Sequence, residues 1–327
     1  MDRFIVGTGR CGSTLLSRML AENPATLSVF EYFNGLDVFR RFRAEPMTGD
    51  EFADLIAAEQ PVVTAVLRRG YEVAEITYPF DGTGRYARDE PLPWVLVSML
   101  PRLSQDPDAL YDELMSYCRS QPSQAPVRHH LALFGWLCDR LQRDHWIERS
   151  GSSVDYLPAL VESFPAARFL HIHRDGHEAA LSMREHHAYR LPIAILYGAA
   201  AGSGPSMSEV DFGAAPEPTD AISRILSGQP PVAYYGRYWS DQVLNGFRAL
   251  RHLDADCYLE VRFEELVSKP AEVLDRICDF FQLERGAWVD QAAGLVRGTP
   301  SSRFSALPED ERVVLAEACA PGRALLG

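Results

Sequence analysis

Eight residues near the start of the chain, Gly7-Thr8-Gly9-Arg10-Cys11-Gly12-Ser13-Thr14, carry the makings of an anion site. An apolar run precedes them, and Leu15, Leu16, Met19 and Leu20 follow on one helical stripe, so the stretch reads as the strand, turn and helix of a phosphate-binding P-loop. The glycines let successive backbone N–H groups turn inward, the helix adds the positive end of its dipole, and Ser13 and Thr14 add hydroxyl donors. Ser13 stands where a nucleoside-triphosphate loop carries lysine, and the cation has moved into the loop as Arg10. A triphosphate therefore fits poorly, because no group is placed for its β- and γ-phosphates and no lone Asp follows an apolar run as a Mg²⁺ ligand. The plain alternative is a Gly-rich turn that binds nothing.

A second constellation is "RFLHIHRDGHEAALSM", residues 168–183. Arg174 ends a strand, where ligands bind in open α/β sheets, and Ser182 lies two helical turns further on. Taken alone, the stretch reads better as an arginine paired with Asp175 and a solvated serine. His171, His173, His186 and His187 suggest a metal site, but no carboxylate or thiol completes a ligand set at a recognisable spacing, so structural histidines are expected. The six cysteines are scattered without a CxxC pair, which reads as reduced thiols.

These residues need elements to hold them. Three strand-then-helix units stand out: "RFIVG" with "STLLSRMLAEN", "ARFLHIHRDG" with "HEAALSMREHH", and "DCYLEVRF" with "PAEVLDRICDFFQLE". "HWIER" adds a strand and "YLPALVESF" a helix. Alternation of this kind predicts an α/β fold, a P-loop-like parallel sheet flanked by helices. Residues 40–144 read as a mostly helical insertion with proline breaks, and the Gly/Ala/Ser/Pro-rich stretch 198–231 as a flexible loop or lid. One domain over 1–327 explains this better than two.

The 327 residues are 46% apolar, enough for a sizeable core, and carry a net charge of −13. So acidic a surface argues against nucleic-acid or anionic-membrane partners, and any anion site must be local. The longest apolar runs are too short and broken to span a bilayer, and no signal peptide fits, so a soluble cytoplasmic protein is the expectation.

Together the motifs resemble the sulfotransferases that use 3′-phosphoadenosine-5′-phosphosulfate, PAPS. "GTGRCGSTLL" is similar to their 5′-phosphosulfate loop, "HRDGHEAALSM" to their 3′-phosphate motif, and "LEVRFEELVSKPAEVLDRICDFF" to their late strand and helix. The resemblance covers about residues 3–35, 145–190 and 236–285, in the family's order. It implies that Gly9, Arg10, Cys11, Gly12, Ser13 and Thr14 seat the 5′-phosphate, and that Arg174 and Ser182 read the 3′-phosphate. It also implies sulfuryl transfer to a hydroxyl acceptor with no metal. Arg10 would meet charge on the departing oxygen.

In "LSVFEYF", Glu31 ends a second strand, as in the carbohydrate- and tyrosylprotein-type branch that uses a glutamate base; a capping edge carboxylate and Glu22 are its competitors. "WIERSG" is similar to a family segment with lysine, so Arg149 takes that place with a different reach and geometry. Phe263 replaces a frequent tyrosine, and "RGTPSSRFSAL" resembles the tail over the 3′-phosphate, with Arg303 as its contact and Arg297 as the alternative. Two other readings stand beside this one: a small-molecule kinase with an atypical P-loop, and a non-catalytic nucleotide-binding protein.

Overall fold

The computed structural model describes residues 1–326, which divide into two compact units. The first unit comprises 1–58, 93–174 and 246–300. Its centre is a parallel sheet of β1 (Arg3–Val6), β2 (Thr26–Phe30), β3 (His145–Arg149), β4 (Arg168–His173) and β5 (Tyr258–Arg262), in the order β2-β3-β1-β4-β5. The loop-bearing strand β1 is thus central, and the chain turns from one side of it to the other between β3 and β4. That switch beside β1 is where an open α/β sheet leaves a crevice at its strand ends.

Alternation along the strands gives the sheet two different faces. Ile5, Ile147, Leu170, Ile172 and Val261 point to an aliphatic core shared with α1 (Ser13–Ala21), α11 (Phe263–Ser268), α12 (Pro270–Phe281) and α13 (Trp288–Ala293). Their neighbours in sequence form an aromatic face: Phe4 packs on Phe169 at 5.4 Å, Trp146 at 5.5 Å and Phe164 at 4.9 Å between ring centres. Each such ring, taken out of water, contributes about 1.5–3 kcal/mol. The unit also holds α2 (Gly49–Ile56), α4 (Pro107–Ser120), α5 (Pro126–Leu141) and α6 (Leu157–Ser163), besides a π turn at Val95–Met99.

The second unit comprises 59–92, 175–245 and 301–326 and is helical. It holds α3 (Pro61–Arg68), α7 (Gly176–Glu185), α8 (His187–Ala200), α9 (Ala221–Ser227), most of α10 (Val232–Leu250), and α14 (Glu309–Leu326). Trp239 is its largest buried side chain, and both Gly176 and Gly322 lie against the indole: a Cβ would come within 2.4 Å and 2.7 Å of it.

The region 40–144 is helical in six pieces, two of them the adjoining short turns at Val95–Met99 and Leu100–Arg102, but 69–93 is irregular and 59–92 belongs to the second unit. Residues 198–231 are not one loop. The first three finish α8, and α9 is capped by Asp220, which accepts from the Ser223 N–H at 2.7 Å and pairs with Arg69 at 2.8 Å. Asp220 bonds fix the start of this helix, although the segment's composition gave no apolar stripe to predict it. No helix among the described residues is long and apolar enough to cross a membrane.

Candidate active site

The loop after β1 turns through three left-handed residues, Gly9 (φ 78°), Arg10 (φ 51°) and Gly12 (φ 95°). Gly12 is also the N-cap of α1 and offers no side-chain cap, so the first-turn N–H groups of that helix face the loop. A Cβ on Gly12 would lie 2.1 Å from the Phe263 ring, so only glycine fits there. Phe263 in turn carries the Arg174 guanidinium over its face at 4.6 Å. The Phe263 ring thus joins the loop to the strand-end arginine by packing. Ser13 and Cys11 are buried, whereas Arg10 and Thr14 are partly exposed.

Glu31 leaves β2 in a left-handed conformation (φ 54°) that turns its carboxylate toward the end of β3. Only 3% of it is exposed, and every oxygen is engaged: Oε1 accepts from Arg149 Nη1, and Oε2 from Asn34 Nδ2 at 2.6 Å and Gly151 N at 3.0 Å. Its main chain is fixed as well, since its N–H donates to the Arg149 carbonyl at 2.7 Å and its carbonyl accepts from Trp94 Nε1 at 2.6 Å. Arg149 is itself 2% exposed, donates through Nη2 to the Thr14 hydroxyl, and lies over the Phe30 ring at 4.5 Å. One hydrogen-bonded chain, Thr14–Arg149–Glu31, therefore runs from the start of α1 to the end of β2. The competitor Glu22 caps the far end of α1 and is exposed.

Behind this chain, on the aromatic face, lie further titratable groups. Burial pushes the Glu148 carboxyl up to about 8, with the Ser150 hydroxyl opposing and the Glu31 charge adding to the shift. Burial likewise pushes His130 down to about 3, and its Nε2 meets the Arg41 carbonyl at 2.8 Å while its Nδ1 meets the Tyr32 hydroxyl at 2.7 Å.

The remaining predicted residues sit as follows. Arg174 closes the first unit. Ser182 is buried on α7 of the second unit. Arg303 belongs to a segment fastened to α7 of that unit: Glu178 accepts from the N–H groups of Arg303 and Phe304 at 3.1 Å and from Ser302 Oγ at 2.8 Å. Its guanidinium lies 3.5 Å from Glu185, one turn along α7 from Ser182. Arg297 is exposed in the first unit. Among the described residues no group of three or more His, Cys, Asp or Glu is placed to hold a metal, and all six cysteines are unpaired.

Sequence reasoning missed Asn34, Gly151 and Trp94, which hold Glu31, and Glu178, which fastens the tail segment. Asn34 three residues after Glu31 and Gly151 in "ERSG" were visible as turn chemistry; Trp94 had no local signal.

Residues 223–288 match the model of the sulfotransferase family, a segment that spans most of α9, all of α10, β5, α11 and α12, and the first residue of α13. No curated protein matches the chain. Among solved structures, the chain is similar to the sulfotransferase domain from the curacin biosynthetic pathway, at 13% identity over 99% of this chain and 97% of that one, with a TM-score of 0.49. It is similar to the sulfotransferase domain of the Synechococcus PCC 7002 olefin synthase at 16% identity, over 100% of this chain and 94% of that one, with a TM-score of 0.47. Sulfotransferase STF9 from Mycobacterium avium is similar at 16% identity, over 99% of this chain and 75% of that one, with a TM-score of 0.46.

Proposed function

We propose that this chain is a sulfotransferase that moves a sulfuryl group from PAPS to a hydroxyl of a carbohydrate or another alcohol. The observation that carries the reading is the Thr14–Arg149–Glu31 chain, which joins a phosphate-type loop to a buried cation and a buried carboxylate. The family match over residues 223–288 supports it.

The loop suits a phosphosulfate. Its left-handed turns and uncapped helix start present backbone N–H groups, Ser13 and Thr14 add hydroxyls, and Arg10 supplies the local cation in an acidic chain. Bound there, PAPS would supply a sulfuryl group already activated by its anhydride bond to phosphate. In this reading Gly9, Arg10, Cys11, Gly12, Ser13 and Thr14 hold the 5′-phosphate, and Arg174, Ser182 and Arg303 read the 3′-phosphate. Glu31 takes the proton of the acceptor hydroxyl. Arg149 fixes the Glu31 carboxylate and, with Arg10, offsets negative charge where it develops, roles a metal would otherwise serve.

The glutamate base points to the carbohydrate- and tyrosylprotein-type branch, and to a carbohydrate or another alcohol over a simple phenol as acceptor. One domain over 1–327, with acceptor contacts from 40–144 and a lid in 198–231, completes the reading. Six unpaired cysteines suit a reducing compartment such as the cytoplasm.

Thermal-shift measurements with PAPS, its 3′,5′-bisphosphate product and ATP test the donor, and an acceptor screen read by mass spectrometry tests the transfer. Stabilisation by PAPS and bisphosphate, with a sulfated alcohol as product, is expected. Stabilisation by ATP with Mg²⁺ alone would make the chain a kinase, and bisphosphate binding without turnover on any hydroxyl would make it a nucleotide-binding protein.

A further inference from the structure

Glu148 is fully buried on β3, beside Phe4 on the aromatic face, one residue before Arg149 and on the opposite side of the sheet from it. Its Oε1 accepts from Ser150 Oγ at 2.5 Å, the backbone N–H of Phe33 faces the same carboxyl, and its Oε2 has no hydrogen-bond partner. Ser150 lies between Arg149 and Gly151, two residues that touch the Glu31 carboxylate, and Phe33 lies two residues after Glu31 in the turn that follows β2. One carboxyl thus bridges the two chain segments that meet at Glu31.

The same turn is fastened from the other side. The Phe33 carbonyl accepts from Arg41 Nη1 at 2.7 Å, and Tyr32 is held by His130. The groups facing Glu148 are therefore Arg41, Tyr32 and Tyr156 on its own side, with Glu31 and Arg149 beyond the strand. Neither arginine hydrogen-bonds Glu148: Arg41 donates to the Phe33 carbonyl and lies over the Tyr156 ring, 3.9 Å away, Arg149 donates to Glu31 and Thr14, and the Nε of each is without a hydrogen-bond partner. An ionised carboxylate with one hydroxyl and one amide for company is untenable at full burial, whereas a protonated acid is not.

We propose that Glu148 is a positioning residue: a neutral buried acid that locks the turn carrying Glu31 to the end of β3, so that Arg149 has a single carboxylate partner. The inference rests on the reading of Glu31 as the base. Ionisation of Glu148 sets a second negative charge behind Glu31, competes for Arg149 and loosens the lock. Burial raises this carboxyl to about 8, which puts that event just above neutral pH.

Full-length wild type, Glu148→Gln, Glu148→Ala and Ser150→Ala are compared by kcat, KM and bisphosphate affinity across the alkaline range. In wild type kcat should fall as pH rises through about 8. Glu148→Gln, which keeps shape and neutrality, should hold neutral-pH kcat within about twofold and lose that fall. Glu148→Ala and Ser150→Ala should lower kcat about ten- to a hundredfold through displacement of Glu31, with bisphosphate affinity nearly unchanged. An unchanged alkaline fall in Glu148→Gln, or full kcat in Glu148→Ala, overturns the proposal.

Two readouts stand apart from turnover. Infrared spectra at neutral pH should show the carbonyl stretch of a protonated carboxyl that Glu148→Gln removes. The melting temperature of wild type should decline as pH rises from the ordinary carboxylate range toward about 8, because the unfolded chain releases this proton first; Glu148→Gln should not show that decline. No turnover on any acceptor defeats the sulfotransfer reading, while a missing stretch defeats the neutral lock.

Discussion

Glu31 and Arg149 are joined twice, once through main chain and once through side chain: the Glu31 N–H donates to the Arg149 carbonyl at 2.7 Å, and Arg149 Nη1 donates to Glu31 Oε1. The first bond continues the β2–β3 ladder past Phe30, and the second brings two buried charges together at its end. A carboxylate so placed is a fixed acceptor, held before any substrate arrives.

Glu31→Gln keeps the shape and most of the hydrogen bonds but removes the basic oxygen. Turnover should fall by about 10²–10⁴ while bisphosphate affinity stays nearly constant. Steady-state kinetics with calorimetry checks this. Near-normal turnover in Glu31→Gln, with Glu22→Gln or a histidine variant dead, would move the base elsewhere.

Arg149→Met leaves the Glu31 charge buried without its cation and should cost about 3–5 kcal/mol of folding stability. The double variant Glu31→Gln/Arg149→Met should lose less than the sum of the singles, because no uncompensated charge remains. Urea unfolding of the four proteins measures the coupling; strict additivity would mean that the pair does not act as a unit.

If Arg174 and Ser182 read a 3′-phosphate, 3′,5′-adenosine bisphosphate should bind about ten- to a hundredfold tighter than 5′-AMP, the worth of one charge-assisted contact. Arg174→Ala should remove most of that ratio. Equal affinities in wild type by calorimetry would end the assignment.

His171 is buried on β4, its Nε2 has no hydrogen-bond partner, and burial pushes it down to about 3, with His173 adding to the shift. The folded chain keeps it neutral, while the unfolded chain binds a proton below about pH 6.5. Stability from this group is therefore lost as pH falls from about 6.5 toward 3, at up to about 1.4 kcal/mol per pH unit. His171→Phe should flatten that part of the curve of stability against pH; an unchanged acid limb would show that His171 charges without cost.

A lid in 198–231 should gain hydrogen-exchange protection only when bisphosphate and acceptor are both present. Asp220→Ala removes the cap of α9 and its Arg69 pair, so exchange over 221–227 should rise by an amount matching about 1 kcal/mol. A short Gly-Ser replacement of the segment should raise acceptor KM and spare donor affinity; exchange that ignores ligands would leave the segment a surface connection.

The sheet and the glycine-rich turn after β1 were legible because their signals are local. β1, the glycines and the Leu15–Leu20 stripe lie within one short stretch, and Glu31 sits where an apolar run stops. What the chain order hides is pairing between distant segments. Nothing near Arg149 announces that its guanidinium meets Glu31 and Thr14. Phe263 read as a lost hydroxyl, whereas its ring is what Gly12 and Arg174 pack against. α8 stayed unread because Pro192 and Gly198 interrupt its pattern, and the packing of its apolar side chains outweighs both.

Among the described residues, four other than glycine adopt the left-handed backbone. Gln142 and Gln282 do so at the C-caps of α5 and α12, where such geometry ends a helix. Arg10 and Glu31 are the other two, in the loop and at the strand end, and each bears about 1–2 kcal/mol that glycine would relieve. Laboratory evolution for heat resistance alone would therefore drift toward glycine or asparagine at these two positions. The survivors would fold better and do less, so selection on this chain has to be coupled to turnover from its first round.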